Sequence, residues 1–406
     1  MDYPKLRGVS AFPTQIQGEQ MICIQDPQGF SQGAVLLPFP LFFIVSLFDG
    51  KHSIIDIQAE YMRKYGELIY REKIEEIIEQ LETQLLLDSD RFRKSLEQEK
   101  ENFRLSLIRD VAFAGTSYDP DPFTLRGQIE RYFSPPDGPG QRCMENPSGG
   151  LKGIIAPHID FQRGGPCYAF AHKEVKEGSN ADLFVILGTA HCEMNNYFGL
   201  TRKDFRTPLG TVKTNKAFIE ALSRACHWDP YEDEFVHKRE HSIEFQLIFL
   251  QYLYPGKTLE IVPILCRSFH EAVERSISPR EIPQIREFIE GLKKAVRSTD
   301  REVCLIASAD LSHIGLQFGD GDSASSMLSE TRVSDLEMLA YAENTDAEGF
   351  YDSIRKEGDR RRICGFPAIY VLLSINEVNR GRLLKYAQSQ NPETQSAVTF
   401  ASLGFY

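Results

Sequence analysis

The sequence predicts an α/β protein in which a small, largely helical domain precedes a larger one. Four apolar runs after residue 150 support this prediction, and helical stretches separate them: GIIAPH, DLFVILGTAH, LEIVPILC and VCLIASADLSH. Such runs are typical of buried strands in a sheet that helices cover on both faces. The length of 406 residues also exceeds what one hydrophobic core usually holds, so two domains are expected.

Amphipathic helices and short strands characterise the first 90 residues. Ser53 and Asp56 form a capping-box pattern at the start of one helix. The apolar residues of a second helix share one face: Ile74, Ile77, Ile78, Leu81 and Leu85. Residues 20–37 fit short strands around the turn at 26–29, and residues 85–87 fit a returning strand. We expect a winged-helix-like accessory domain at 1–90, a connecting helix at 91–110 and a larger domain at 111–406.

Charge and composition argue against several classes of function. The net charge of -12, without a long Lys/Arg block, argues against a nucleic-acid partner. The N-terminal segment MDYPKLRGVS lacks the pattern of a secretory signal, and the apolar run at 33–48 is too short to span a membrane. The eight cysteines form no CxxC pair, which fits a reducing compartment. We therefore expect a cytoplasmic protein without membrane association.

Histidines follow three of the apolar runs. His158 comes after GIIAP, His191 after DLFVILGTA, and His313 after VCLIASADLS. A single histidine in this position is more often a hydrogen-bonded structural residue. Three in the same position favour a site, because ligands collect at the carboxyl ends of the strands in α/β sheets. Asp160 and Asp310 are placed in sequence to accept hydrogen bonds from such rings.

Cys364 and the helix that begins near His241 add further polar candidates. Cys364 follows three arginines and precedes a buried helix, a setting that should lower the pKa of the thiol. An inert core cysteine is an equally good interpretation of the local sequence. His241 and Glu244 lie one helical turn apart, which on local sequence alone is more typical of a surface ion pair.

Several motifs together resemble one known family. GIIAPHIDF, VILGTAH, FRTPLG, EHSIEFQL, SADLSH, ICGFPAI and KYAQSQ occur in the order and spacing of the Memo family, also called AmmeMemoRadiSam system protein B, over residues 112–406. Residues 36–89, with SLFDGKHSIIDI and IEEIIEQLETQLLLD, resemble PqqD-like peptide-binding winged-helix domains.

The resemblance implies a fold and a set of site residues. Memo proteins look like class III extradiol dioxygenases, which have a central mixed sheet flanked by helices. The resemblance implies metal ligands at His158, His191 and Cys364, with the thiolate standing where the dioxygenases place a carboxylate. It gives His313 the acid/base role, and three further groups would line the same vestibule: His241, Glu244 and Asp310. Two imidazoles and a thiolate suit iron(II) as first choice, with copper or zinc as alternatives.

Three functions follow as hypotheses. The leading one is a metal-dependent redox or oxygen-using enzyme acting on a small-molecule or peptide substrate, in which His313 moves a proton. The second is an adaptor that binds a peptide or phosphorylated partner and works with a radical-SAM or AMMECR-like partner, the metal being structural or vestigial. The third is a zinc hydrolase, which the absence of an obvious general-base glutamate in the sequence disfavours.

Overall fold

The computed structural model describes residues 1–16, 18–26, 29–31, 33–140, 150–375, 378 and 380–406. The chain divides into two compact units, Met1–Leu105 and Ser106–Tyr406. The turn expected at 26–29 and the Pro/Gly-rich loop expected at 134–150 lie partly outside the described residues. Among those residues, no helix combines the length and apolar character needed to cross a membrane.

The first unit contains a three-stranded antiparallel sheet in the order β1-β2-β3. Its strands are β1 (Ser10–Ile16), β2 (Glu19–Gln25) and β3 (Val35–Pro38). Its helices are α1 (Phe39–Ser46), α2 (Ile54–Tyr65), α3 (Arg71–Thr83) and α4 (Asp90–Leu105). The small N-terminal domain of the predicted fold class is therefore present, and its winged-helix character stays a prediction.

Two local patterns account for the helices α2 and α3. The capping box is confirmed, because the Ser53 hydroxyl accepts from the Asp56 amide and the Asp56 carboxylate accepts from the Ser53 amide. This satisfies amide groups that the first turn of a helix leaves without partners. Helix α3 buries Ile74, Ile77, Ile78 and Leu81 in the core of this unit. Leu85 was expected on the same face, but α3 ends at Thr83 and Leu85 has a positive φ of 57°.

The second unit is built on an 11-stranded mixed sheet. Its strands are β4 (Ile108–Arg109), β5 (Gly153–Ala156), β6 (Leu183–Thr189), β7 (Phe198–Leu200), β8 (Asp204–Thr207), β9 (Gly210–Thr214), β10 (Glu260–Cys266), β11 (Val303–Ser308), β12 (Asp310–Gly315), β13 (Gly381–Asn391) and β14 (Ser396–Phe405). The order is β12-β14-β5-β11-β6-β10-β9-β8-β4, with β13 paired to β14 and β7 to β10. Strands β5, β11, β6 and β10 are parallel, and β14 runs antiparallel to β5.

Helices cover both faces of this sheet. They are α5 (Pro122–Phe133), α6 (Phe161–Gly178), α7 (Lys216–Ser223), α8 (His241–Leu253), α9 (His270–Glu274), α10 (Pro283–Ser298), α11 (Ala324–Glu343), α12 (Ala347–Lys356) and α13 (Phe366–Ile375). Alternate residues of β6 point to opposite cores: Val185 and Leu187 pack with α13, whereas Phe184 and Ile186 pack with α8. This explains why the strands are continuous apolar runs, and it confirms the predicted α/β class with a central mixed sheet.

One predicted strand is divided in two. The run VCLIASADLSH was expected to be a single strand with His313 at its end, but β11 stops at Ser308 and a separate strand, β12, begins at Asp310. β12 leaves the parallel set and pairs antiparallel with β14, so His313 lies within a strand. The apolar pattern continues across the break because both strands are buried, and hydropathy therefore does not reveal the break.

Candidate metal centre

The carboxyl ends of β5 and β6, two strands separated by β11, bring His158 and His191 together. β11 lies between β5 and β6, and each histidine comes two residues after its own strand, at the carboxyl end of the parallel set. The first turn of α8 brings His241 to the same place. Gly188 in β6 permits this approach, because a Cβ atom there would collide with Ser242 and Ile243 of α8.

The three imidazoles form a compact group. One ring nitrogen of each lies within 4.8 Å of those of the other two, an arrangement that could hold a metal ion. The ring centroid of His191 is 4.9 Å from that of His158 and 4.6 Å from that of His241. Metal–nitrogen bonds of about 2.1 Å allow ligand nitrogens up to roughly 4.2 Å apart, so small ring rotations suffice for a shared ion.

The Nδ1 atom of each ring lies within hydrogen-bonding distance of a protein acceptor. His158 Nδ1 donates to the Ser308 carbonyl oxygen at 3.0 Å. The Glu240 carboxylate faces Nδ1 of His191 at 3.1 Å and Nδ1 of His241 at 3.2 Å. Metal-binding histidines are typically oriented in this way through their second nitrogen, which leaves Nε2 free for an ion. The residues present therefore fit a metal ion.

Burial and Glu240 set the charges of the group. Burial lowers the pKa of His158 well below its usual value and lowers that of His241 to about 4, so both rings are neutral near pH 7. Burial also opposes charge on His191, but the Glu240 carboxylate outweighs it and raises the pKa of this ring. Burial likewise opposes charge on Glu240, yet the two rings beside it hold its pKa well below the usual range. A buried anion thus lies beside a neutral His241 ring, which has a lone pair for an ion, and beside a His191 ring whose charged form it favours and which must release a proton to bind an ion.

Cys364 lies against this group. Its Sγ is 3.2 Å from His158 Nε2, and Gly365 donates its amide to the Asp310 carbonyl oxygen at 3.0 Å. Gly365 is required there, since a Cβ atom would collide with the backbone of residues 309–310. The sulfur is not one of the three mutually close ligand atoms described above. The Cys364 sulfur therefore lies beside one predicted ligand, His158. The third residue of the group of mutually close ligand atoms is His241, which was not predicted as a ligand.

The expected lowering of the Cys364 pKa is wrong for the metal-free chain. Burial raises the pKa of this thiol well above its ordinary value, and the Asp310 carboxyl group adds to the effect. The three preceding arginines are engaged elsewhere: Arg360 with Glu330, Arg361 with Asp335 and Glu357, and Arg362 with Asp320. Adjacency in sequence does not bring their charges to the sulfur.

The two aspartates expected to support the rings have different positions. Asp310 accepts from the His158 backbone amide at 3.0 Å, and its other oxygen is 3.6 Å from His158 Nε2. Burial raises the pKa of Asp310 to about 7. Asp160 instead caps α6 and pairs with Arg163. The acceptors for the ring Nδ1 atoms are the Ser308 carbonyl and Glu240, and neither was predicted.

Glu244 is not brought to the imidazoles. It is fully buried, and its carboxylate pairs with Arg109, accepts from the Tyr118 hydroxyl, and accepts from the amides of Ala112 and Phe113 at 3.2 and 3.1 Å. These contacts join α8 to the segment that follows β4. They use the hydrogen-bonding capacity of the carboxylate within the protein interior.

His313 lies near the group without touching its rings. Its Nδ1 faces the carbonyl oxygens of Leu311 at 3.1 Å and Arg362 at 3.2 Å, so Nδ1 carries the proton and Nε2 is the acceptor. Burial lowers the pKa of His313 to about 4, and the charge of the His191 ring adds a smaller lowering. The ring is therefore neutral near pH 7, and its Nε2 is a weak base that can accept a proton only transiently.

Glu240 is the residue of this candidate site that sequence reasoning missed. Besides the two rings, its carboxylate accepts from the backbone amides of His191 at 2.9 Å and Ser242 at 3.0 Å. The available signal was its position directly before His241, where it occupies the N-cap of α8. An N-cap side chain accepts from the first helical turn, which also brings it near the side chains of that turn.

Comparisons with known proteins identify similar chains. Residues 109–404 match the family model described as Memo-like protein. A MEMO1 family protein of Aquifex aeolicus is 30% identical over 406 residues, covering 99% of this chain and 100% of the relative. A MEMO1 family protein of Methanopyrus kandleri is 31% identical over 286 residues, covering 69% of this chain and 92% of the relative. A MEMO1 family protein of Thermus thermophilus is 24% identical over 354 residues, covering 86% of this chain and 98% of the relative.

Proposed function

The chain belongs to the Memo family, and on this premise we propose that it is a metal-dependent oxidoreductase whose ion binds at the imidazole group. The observation that supports the proposal most is the convergence of His158, His191 and His241, with the outer nitrogen of each ring engaged by a protein acceptor. A set of this kind with open positions suits ions that bind a substrate directly.

His158 and His191 are the ligands common to two possible sets. Cys364 completes the set that the family resemblance implies, and His241 completes the set that the ring nitrogens form. We propose the thiolate set, with iron(II) as the ion, because the sulfur lies 3.2 Å from His158 Nε2 and a bound cation would offset the cost of burying a thiolate. A soft sulfur ligand also makes copper(I) the strongest competitor for the site.

The residues around the ion have separate tasks in this proposal. A bound metal would supply Lewis-acid and redox chemistry to the substrate. Glu240 orients two rings, and His313 accepts a proton at Nε2, since its Nδ1 is committed to backbone carbonyls. Glu240 is itself a poor general base because both rings and two amides already use its carboxylate, which disfavours a hydrolase that needs a free glutamate.

Metal loading tests the proposal directly. The metal-free chain is titrated anaerobically with iron(II), copper(I) or zinc, and oxygen uptake is then measured with phenols as substrates. We expect one ion per chain, loss of binding in His158→Ala, and a larger loss in Cys364→Ala than in His241→Ala. Binding that is equally strong without Cys364 would transfer the third-ligand role to His241. A wild-type chain that binds none of these ions would overturn the proposal.

A second candidate function concerns the first unit, and we propose that it binds an extended peptide. In the sheet order β1-β2-β3, strand β3 is an edge strand, and edge strands can pair with an added chain. A cavity of about 550 Å³ lies between this strand and α3, lined in part by Val35, Glu76 and Glu79. Glu76 pairs with Lys73 at 2.8 Å, so Glu79 is the residue of this lining that favours a peptide with basic side chains.

Peptide titration tests this second function. A labelled decapeptide of alternating lysine and valine is added to the full chain, and a glutamate/valine peptide is the control. We expect the basic peptide alone to bind, and Val35→Pro, which introduces a residue without an amide donor, to weaken it. Equal binding of both peptides, or none of either, would exclude a specific edge-strand site.

A further inference from the structure

Gln246 is a buried polar residue within α8 to which the proposed function assigns no role. The side chain is fully buried, and each half of its amide has a partner. Oε1 accepts from His172 Nε2 at 2.9 Å, whereas Nε2 donates to the Pro157 carbonyl oxygen and to the Ser308 hydroxyl, both at 2.7 Å. A buried amide is costly unless its groups are satisfied, and here they are.

The two acceptors of Gln246 both belong to the immediate support of His158. Pro157 is the residue before His158, so its carbonyl fixes the backbone from which the ring projects. Ser308 provides the carbonyl oxygen that accepts from His158 Nδ1 at 3.0 Å. The Ser308 hydroxyl in turn donates to the Ser242 carbonyl oxygen at 2.5 Å. One amide therefore braces both the backbone of His158 and the residue that selects its tautomer.

His172 determines which way this amide points. A neutral His172 that donates from Nε2 must face the amide oxygen, which turns the NH₂ group of Gln246 toward Pro157 and Ser308. His172 is fully buried and stacks on Phe249 at a centroid distance of 5.4 Å, so its ring is held in place. Burial also lowers the pKa of His172 to about 4, which keeps the ring neutral.

We infer that Gln246, oriented by His172, is a positioning residue that holds His158 in the tautomer and direction required for metal binding. The inference rests on the proposed metal site for its functional meaning. Its structural part, control of the His158 ring by an amide two contacts away, does not depend on a metal. Residues that orient a metal ligand typically change metal affinity about 10–100-fold when they are replaced.

A matched pair of variants tests the inference. Gln246→Met keeps the length of the side chain and removes the amide, whereas Gln251→Met makes the same change about one and a half turns nearer the end of α8. Gln251 accepts from Thr207, away from the imidazoles. The first readout is ¹⁵N NMR of the imidazoles in the metal-free full chain. We expect wild type and Gln251→Met to show the Nδ1–H form of His158, and Gln246→Met to show a tautomer mixture.

The second readout is affinity for zinc, measured by competition with a chromophoric chelator. We expect the dissociation constant to rise about 10–100-fold in Gln246→Met and to stay unchanged in Gln251→Met. His172→Phe keeps the ring stack and removes the donor, so we expect a smaller rise and the same kind of tautomer mixture. This variant decides the question if Gln246→Met fails to fold.

The two readouts separate failure of the inference from failure of the proposed function. If wild type binds none of iron(II), copper(I) and zinc but Gln246→Met alters the His158 tautomer, the metal site is wrong and the positioning role stands. If Gln246→Met or His172→Phe folds and leaves the tautomer as in wild type, the inference is overturned whatever the metal affinity.

Discussion

Glu240 and Glu244 are both buried carboxylates, and they lie one turn apart at the start of α8. Glu240 faces two histidine rings, whose charge depends on protonation or on a bound ion. Glu244 faces Arg109, whose charge is permanent. The two buried carboxylates therefore have different partners: Glu240 contacts the rings of the candidate metal site, whereas Glu244 forms an ion pair within the protein interior.

The difference teaches that burial of a carboxylate does not by itself mark a functional site. What distinguishes the two is the partner. A guanidinium stays protonated and has no lone pair for a metal ion, so the charges of Arg109 and Glu244 balance each other without a bound ligand. The rings beside Glu240 each keep a second nitrogen that an ion can use. Replacing each carboxylate should therefore affect different properties of the protein.

The largest expected effect is on folding, in Glu244→Ala. Removing this carboxylate leaves Arg109 buried without its counter-charge, which typically costs about 3–5 kcal/mol. Urea denaturation of the metal-free chain measures the change in the free energy of unfolding. The double variant Arg109→Met with Glu244→Met should recover part of the loss, because no unpaired charge remains. A loss below about 1 kcal/mol in the single variant would contradict a structural role for the pair.

A smaller effect, on metal binding, is expected for Glu240→Gln. The amide of glutamine has one acceptor oxygen and one NH₂ donor, so it cannot accept from His191 and His241 as the carboxylate does. The two rings therefore lose their common acceptor. We expect the affinity for zinc or iron(II) to fall about 10–100-fold, with less destabilisation of the metal-free chain than in Glu244→Ala. Titration against a chelator of known affinity measures the change. Unchanged affinity would remove the contrast between the two carboxylates.

The smallest effect is expected at the start of α2, where a third acidic residue supports a helix. Ser53→Ala removes the hydroxyl that accepts from the Asp56 amide, and loss of such a cap typically costs about 1 kcal/mol. Thermal denaturation followed by circular dichroism measures the change. Metal affinity should equal that of wild type, since these residues belong to the first unit. Any change in affinity would mean that destabilisation alone alters metal binding, which would weaken the interpretation of Glu240→Gln.

The sequence was most informative where one local pattern determines one element. The apolar runs predicted β5, β6, β10 and β11, and the capping pattern at Ser53 predicted the start of α2. Of the three histidines expected to converge at the carboxyl ends of the parallel strands, His158 and His191 have ring centroids 4.9 Å apart, whereas His313 lies within β12. These inferences succeeded because burial and helix capping act over a few residues.

The sequence was least informative where partners are distant in the chain. Nothing local indicates that Glu244 pairs with Arg109 or that Gln246 reaches Pro157 and Ser308. The arginines before Cys364 misled for the same reason, since their partners come from other elements. Tertiary packing determines which partner a buried polar group contacts, and this partner cannot be identified from a single sequence.

Strand β14 has a consequence for the order in which the molecule can form. It lies between β12 and β5, and its residues 403–405 pair with residues 153–155 from a distant part of the chain. Pairing across so long a loop is slow, whereas β1 and β2 are only a few residues apart in sequence. β12 joins the sheet through β14, so His313 should reach its place late in folding, after the hairpin of the first unit has formed.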